Sequence, residues 1–197
     1  RILPPLTMAV QQTSRKGRRA LLRASAAALL GSFVLPRRTV AQAGAADRSA
    51  VVTLRERVSV LTSGGTNVIA LSAADGLVLV DSGAPALTDP LMTTVQRLAA
   101  TTRVRTVFNT HWHLENTGAN ERLHQAGATI VAHENTRLWM ATPTWMPAED
   151  RYRTPRLKLA LPDDTFRVTR SIVAGAERID CGYLIEAHTS GDIYVFF

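Results

Sequence analysis

The apolar positions of the chain fall into short runs separated by polar turns, and most runs alternate in the way that is typical of β-strands. Six runs in the first two thirds of the chain are rich in valine, isoleucine and threonine, which favour strands. The turn Ala74-Asp75-Gly76 predicts that the third and fourth runs form a hairpin. The six predicted strands are Val51–Leu54, Val58–Ser63, Asn67–Ser72, Leu77–Asp81, Val104–Asn109 and Thr129–His133.

Helical spacing occurs between the later strands. Leu91, Val95 and Leu98 form one apolar face of a helix. Two further helices are predicted at Thr117–Gln125 and Glu134–Met140. Because helices and strands alternate along this part of the chain, the sequence predicts an α/β layer.

The last third of the chain has a different pattern. Residues 141–164 form a long connection with four prolines and no clear period, and connections of this length often act as lids or binding loops. Trp139 and Trp145 flank its start, and they either fill the core or line a substrate site. From residue 165 onward the pattern predicts strands, at Phe166–Val173, Glu177–Ala187 and Ile193–Phe197.

The segment Val104–Asn120, with the sequence VRTVFNTHWHLENTGAN, carries the candidate chemistry. His111 and His113 are two residues apart, so on extended backbone both imidazoles point to the same side and supply half of a tetrahedral zinc shell. The pair follows a predicted strand, and open α/β sheets place their sites at the carboxyl ends of strands. His188 follows a later strand in the same way. Asn116 is a preferred residue for capping the next helix.

Charge and cysteine content exclude several classes of function. The 197 residues have a formal charge of +7, but residues 1–43 hold 8 of the 23 Lys and Arg and no acidic residue. Residues 44–197 therefore carry 15 basic against 16 acidic residues, a net charge of −1. Nucleic-acid binding needs basic residues clustered on the folded part, and the run Arg151–Lys158 is too mild, so we expect no nucleic-acid partner. Cys181, the only cysteine, excludes an intrachain disulfide, and its apolar neighbours predict a buried thiol.

Residues 1–43 have the pattern of an export leader. Ser14–Ala43 combines a basic start, an apolar stretch at Ala24–Leu35 and small residues at its end. The apolar stretch is shorter than the roughly 20 residues that span a bilayer. The pair Arg18-Arg19 resembles a twin-arginine signal. We therefore expect translation to start at Met8 and the product to be periplasmic or secreted, with a membrane involved only in export. The alternative is an amphipathic surface helix.

Three motifs in order along the chain resemble the metallo-β-lactamase fold of metallohydrolases. They are FNTHWHLENTGAN, GATIVAHENTR and AHTSGD, and the turn Asp81-Ser82-Gly83 precedes them. The resemblance implies a four-layer αββα sandwich with a metal at the edge between its sheets. This domain would occupy residues 58–197, after a linker and first strand at 44–57. The family continues into a second αβ half, so we expect a domain truncated at its C-terminal half.

Compared by position, the resemblance implies that His111, His113 and His188 bind one Zn²⁺. The family motif is His-x-His-x-Asp-His, and this chain has His-x-His-x-Glu-Asn. Glu115 stands in the place of a second-metal aspartate, and Asn116 stands in the place of a second-metal histidine. An amide is a poorer zinc ligand than imidazole, so we expect one zinc ion rather than two.

These residues predict a hydrolase of a small-molecule substrate. Zinc lowers the pKa of its bound water to about 7, which provides hydroxide to attack a carbonyl or phosphoryl centre. Glu115 would orient the water or take its proton, or else brace a ligand histidine. Asp81, Asp192 and Asn116 are expected to hold loops or ligands by hydrogen bonds, with Asn116 at most a weak ligand. The alternative is a non-catalytic member of the fold that binds metal, a small molecule or a protein partner.

Overall fold

The computed structural model describes residues 50–63, 66–99, 103–147, 150–185 and 187–197. The predicted leader lies outside the described residues. The chain divides into a first unit, residues 1–42, and a second unit, residues 43–197, to which all the described residues belong. None of the described helices combines the length and the apolar content that crossing a membrane requires.

The described residues form twelve strands and four α-helices. The strands are β1 (Ala50–Arg55), β2 (Val58–Ser63), β3 (Thr66–Ala73), β4 (Gly76–Val80), β5 (Val104–Phe108), β6 (Thr129–His133), β7 (Thr144–Met146), β8 (Arg151–Arg153), β9 (Asp164–Phe166), β10 (Thr169–Ala174), β11 (Glu177–Tyr183) and β12 (Ile193–Phe196). The α-helices are α1 (Thr88–Ala99), α2 (Leu114–Thr117), α3 (Asn120–Gln125) and α4 (Glu134–Ala141).

Seven strands form one mixed sheet in the order β1-β2-β3-β4-β5-β6-β9. The first four are antiparallel neighbours, and the predicted turn at Ala74-Asp75-Gly76 joins β3 to β4. From β4 to β9 the neighbours are parallel, which the intervening helices make possible. The carboxyl ends of β4, β5 and β6 therefore meet at one edge of the sheet, and the candidate site lies there.

Both faces of this sheet are covered. In β4, Leu77 and Leu79 point to a core shared with Leu91 and Val95 of α1, whereas Val78 points to a second core. The second core lies against a three-stranded sheet in the order β10-β11-β12. Burial on both faces explains why β4 is a continuous apolar run rather than an alternating one. The described residues thus form three layers, helix, sheet and sheet, in the order of the predicted αββα sandwich.

The structure differs from the sequence prediction in its shorter elements. The predicted helix Thr117–Gln125 is divided between α2 and α3, and the helical conformation is interrupted at Ala119, whose ψ is 5°. Gly118, just before the break, lies so close to Pro85 that a Cβ would be 2.3 Å from Pro85 N. The predicted strand Phe166–Val173 is divided: its start belongs to β9 in the first sheet and its remainder to β10 in the second. Residues 141–164 contain the hairpin β7–β8, whose three-residue strands are too short to show a period.

Candidate metal centre

Three histidine side chains meet at the carboxyl edge of the parallel strands. His111 and His113 lie between β5 and α2, and His188 lies between β11 and β12. One ligand nitrogen of each ring lies within 4.8 Å of the other two, and His113 Nδ1 is 3.1 Å from His188 Nε2. Two nitrogens bound to one tetrahedral zinc at about 2.0–2.1 Å are about 3.3 Å apart. The cluster therefore fits one metal ion after small side-chain rotations.

A hydrogen-bond chain fixes the tautomer of His111. The Thr110 hydroxyl lies 2.8 Å from Asp81 Oδ2 and 3.0 Å from His111 Nδ1. The hydroxyl has one proton, and it donates that proton to the carboxylate, so Nδ1 of His111 must carry a hydrogen and donate to the hydroxyl oxygen. Nε2 of His111 is then an unprotonated lone pair. A ligand histidine in a metal site is oriented in the same way, by a hydrogen bond at its other nitrogen.

Asp81 connects the loop of His111 to helix α2 by hydrogen bonds. Its carboxylate accepts hydrogen bonds from Thr110 N, Thr110 Oγ1 and Asn116 Nδ2, each at 2.8 Å. Asp81 follows β4 with a φ of 64°, a conformation that few non-glycine residues adopt, so the turn is held by its surroundings. Burial raises the pKa of Asp81 to about 6, and the hydrogen bonds from Thr110 and Asn116 oppose this shift.

Asn116 does not cap a helix. It lies inside α2, whose N-cap residue is His113, and its amide group donates to Asp81. The prediction of a cap at Asn116 is wrong because the helix starts two residues earlier, directly after the second histidine. The side-chain amide of Asn116 donates to the Asp81 carboxylate, so Asn116 stabilises the loop through this hydrogen bond.

The loop of His188 is held by Asp192 and by β5. Asp192 accepts from Thr189 N and Thr189 Oγ1, each at 2.7 Å, and this closes the turn that follows His188. Ile193 N donates to Thr110 O at 3.0 Å, which joins the His188 loop to the loop of His111. This backbone hydrogen bond is one of the contacts that join the two loops at the sheet edge.

Helix α4 supports the same turn from outside. Asn135 Nδ2 donates to Ser190 O at 2.6 Å, and Thr136 Oγ1 donates to Gly191 O at 2.8 Å. A Cβ on Gly191 would lie 2.5 Å from Thr136 Oγ1 and 2.7 Å from Thr136 N, so only glycine allows this approach. The His188 turn is therefore shaped by α4 as well as by its own residues.

The structure does not bring Glu115 into the histidine cluster. Glu115 is exposed in the first turn of α2, and its carboxylate has no hydrogen bond to the described residues. Burial lowers the pKa values of His111 and His113, and the negative charges of Glu115 and Asp192 oppose that change. Because the neutral imidazole is the form that binds metal, burial favours the binding form of both rings.

Two buried amides that the sequence analysis did not single out brace the ligand loop. Asn109 and Asn120 are fully buried, and each donates to the other's side-chain oxygen, at 3.1 and 2.8 Å. Asn120 also accepts from the Ser82 hydroxyl at 2.8 Å. Both lie inside the motif at residues 104–120, but their pairing exists only once β5 and α3 are packed. No pattern along the chain could have indicated it.

Trp112, between the two loop histidines, is the second missed feature. Its ring is 4.2 Å from that of His113 and stacks on Trp139 at 5.7 Å. The guanidinium carbon of Arg153, from β8, lies 4.3 Å from the centre of the Trp112 ring. One wall of the candidate site is therefore aromatic and bears a positive charge.

Comparison with known proteins decides the family. The metallo-beta-lactamase superfamily model matches residues 61–197. The chain belongs to this superfamily. Both the family and the fold predicted from the sequence are confirmed. No curated protein matches the chain significantly.

Several solved metallo-beta-lactamases share the fold. A Cronobacter sakazakii enzyme with a HARLDQ motif is 18% identical with a TM-score of 0.60, over 73% of this chain and 55% of that one. BJP-1, a subclass B3 enzyme of Bradyrhizobium japonicum, is 19% identical with a TM-score of 0.60, over 73% and 54%. A metallo-beta-lactamase from Pontibacter korlensis is 23% identical with a TM-score of 0.58, over 75% and 66%. The chain thus spans little more than half the length of the first two.

Proposed function

We propose that this superfamily member is an exported, zinc-dependent hydrolase that acts on a carbonyl or phosphoryl centre of a small molecule. Membership of the superfamily and the histidine cluster support a metallohydrolase. The observation that carries the proposal is the 3.1 Å separation of His113 Nδ1 and His188 Nε2, on loops 75 residues apart. Two neutral ring nitrogens face each other at this distance when they share a proton or a cation.

Each residue of the site has a distinct part in this proposal. His111, His113 and His188 would hold the ion, which when bound supplies a Lewis acid that lowers the pKa of water to about 7 and polarises a substrate oxygen. Asp81, acting through Thr110, keeps His111 in the tautomer with a free Nε2. Asp192 holds the His188 turn closed.

Glu115 is the residue we assign to orient the attacking water or accept its proton. Its carboxylate is exposed and unpaired among the described residues, so it is free to turn toward the histidines. A carboxylate within hydrogen-bond reach is a suitable base for this step. A Glu115→Gln variant should keep zinc and lose turnover. Equal turnover of the variant and the wild type would remove Glu115 from the mechanism.

A second candidate function is a non-catalytic protein that binds one metal ion and a small molecule or partner. Two observations favour it: the amide of Asn116 is committed to Asp81, and Glu115 stands outside the cluster. Among the described residues, a second metal ion would therefore lack a ready set of ligands. A one-metal site is compatible with both candidates, so turnover must separate them.

The test combines metal analysis with substrate probes on the full chain. Zinc is measured by mass spectrometry, and turnover is measured with ester, lactam, thioester and phosphodiester probes. About one equivalent of zinc, with turnover that disappears in His113→Ala and persists in His124→Ala, supports the hydrolase. Less than about half an equivalent after zinc reconstitution contradicts the zinc site. Bound zinc without turnover of any probe supports the non-catalytic candidate.

The exported location is proposed from the leader sequence. Replacing Arg18 and Arg19 by lysine should retain the protein in the cytoplasm, because the arginine pair would be the export signal. Cell fractionation of the two forms measures this. A wild-type protein found only in the cytoplasm would contradict export.

A further inference from the structure

Arg153 lies where the hairpin β7–β8 reaches the histidine loop. Its guanidinium carbon is 4.3 Å from the centre of the Trp112 ring, and that centre is 4.2 Å from the centre of the His113 ring. The sum of these two distances places the guanidinium carbon at most about 8.5 Å from the centre of the His113 ring. The positive charge is therefore within the length of a small molecule from the metal-binding nitrogens.

Some hydrogen-bond donors of the Arg153 guanidinium have no acceptor among the described residues. Nη2 donates to Trp139 O and, at 3.2 Å, to Thr144 Oγ1. Nε is the one buried side-chain nitrogen or oxygen without a partner among the described residues. Nη1 makes no hydrogen bond to the described residues and is not one of their buried atoms without a partner. The bonds of Nη2 fix the side chain while Nη1 remains free to bind a ligand.

No carboxylate of the described residues pairs with Arg153. Ion pairs elsewhere on the described surface neutralise six arginines: Arg57, Arg105, Arg122, Arg167, Arg170 and Arg178. Arg153 instead lies near a second cation, Arg156, whose own donors go to Thr117. Burial and the charge of Arg153 lower the pKa of Arg156, against an opposing effect of Glu121. An anion beside Arg153 would relieve this repulsion.

An apolar cleft adjoins Arg153, because Trp139 and Thr144, which accept hydrogen bonds from Arg153, also line it. It has a volume of about 370 Å³ and is lined by Leu138, Trp139, Thr142, Pro143, Thr144 and Trp145. Trp139 forms part of the cleft and also stacks on Trp112, and its indole nitrogen donates to Ser190 Oγ, two residues beyond His188. Thr144 lines the cleft and accepts from Arg153. The histidine cluster, Arg153 and the cleft are therefore adjacent, because Trp139 and Thr144 line the cleft and also contact Arg153 and the histidine loops.

We propose that Arg153 binds a carboxylate of the substrate and that the cleft receives an aromatic or apolar group of the same molecule. The inference rests on the proposed function and adds the substrate class. Arginine suits a carboxylate because its planar fork donates charge-assisted hydrogen bonds, and its face stacks on an aromatic ring as it does on Trp112.

Binding is tested first without metal, so that the result does not depend on turnover. In the presence of a chelator at pH 8, tryptophan fluorescence is titrated with 3-phenylpropionate and with its neutral isostere 3-phenylpropionamide. We expect the carboxylate to bind at least about tenfold more tightly than the amide. Arg153→Gln should remove that difference, and Arg153→Lys should restore part of it. Arg178→Gln, the same charge change on an exposed strand, should leave the difference unchanged.

Turnover then separates this inference from the proposed function. The zinc-loaded protein is given matched aryl esters that carry either a carboxylate or its methyl ester, and kcat/KM is compared. Arg153→Gln should lower kcat/KM for the acidic ester by about tenfold, mainly through KM, and leave the neutral ester unchanged. Equal binding of acid and amide by the wild type, or a preference that survives in Arg153→Gln, overturns the inference. Binding preference without turnover would overturn the hydrolase and keep the carboxylate site.

Discussion

Replacing Asp81 by asparagine should change how the stability of the metal-free protein depends on pH. Asp81 is 6% exposed, and burial raises its pKa from 3.8 to about 6. The folded protein therefore binds the carboxyl proton more tightly than the unfolded chain does. Its contribution to stability is greatest below pH 3.8, where both states are protonated, and decreases as the pH rises to about 6.

The size of the effect follows from the pKa shift. One unit corresponds to about 1.36 kcal/mol, so a shift of about two units lowers the free energy of unfolding by about 3 kcal/mol across this window. His111 and His113 act in the opposite direction: burial lowers their pKa values, so stability is lost as the pH falls and they take up protons. Only the difference between wild type and variant isolates the carboxyl group.

Urea unfolding in the presence of a chelator, followed by circular dichroism from pH 4 to 7.5, measures this difference. The unfolding free energy of the wild type minus that of Asp81→Asn should decrease by about 3 kcal/mol as the pH rises. Asp89→Asn is the matched surface control, because it makes the same substitution at a side chain that is 83% exposed. A flat difference for Asp81→Asn would show that this carboxyl group does not titrate as its burial requires.

Three further outcomes are expected. Zinc at about 100 times its Kd should stabilise the wild type by about 2.7 kcal/mol in thermal unfolding, and His113→Ala should lose this while His124→Ala keeps it; equal zinc shifts in both variants would exclude the cluster as the binding site. Cys181 is buried and burial raises its pKa to about 11, so a thiol reagent at pH 8 should react only after denaturant is added; rapid labelling of the native protein would contradict this. Asn120→Ala should lower the unfolding free energy by about 2–4 kcal/mol, since it leaves buried partners unsatisfied, and a loss below about 0.5 kcal/mol would mean that the amide pair is dispensable.

The elements of the first sheet could be predicted because their signals are local. The alternation in β2 and β3, the Asp-Gly turn and the apolar face of α1 each occupy a few consecutive residues. The burial of Cys181 follows in the same way from its apolar neighbours. The hairpin β7–β8 and the division at Phe166–Val173 could not be predicted, because sheet membership depends on partners elsewhere in the chain.

For the candidate site, residue types and spacing were sufficient to choose the histidines, and the family resemblance supplied their grouping. The spacing of His111 and His113 is a property of consecutive residues, whereas the approach of His188 depends on tertiary contacts such as the backbone bond between Ile193 and Thr110. The hydrogen bonds of Asp81 and the contact of Arg153 with the Trp112 ring exist only in the folded protein. Sequence determines which face each side chain takes along its own strand or helix, since backbone geometry sets that period. Which side chains meet across elements is decided by packing, because buried polar groups must find their partners wherever the layers bring them together.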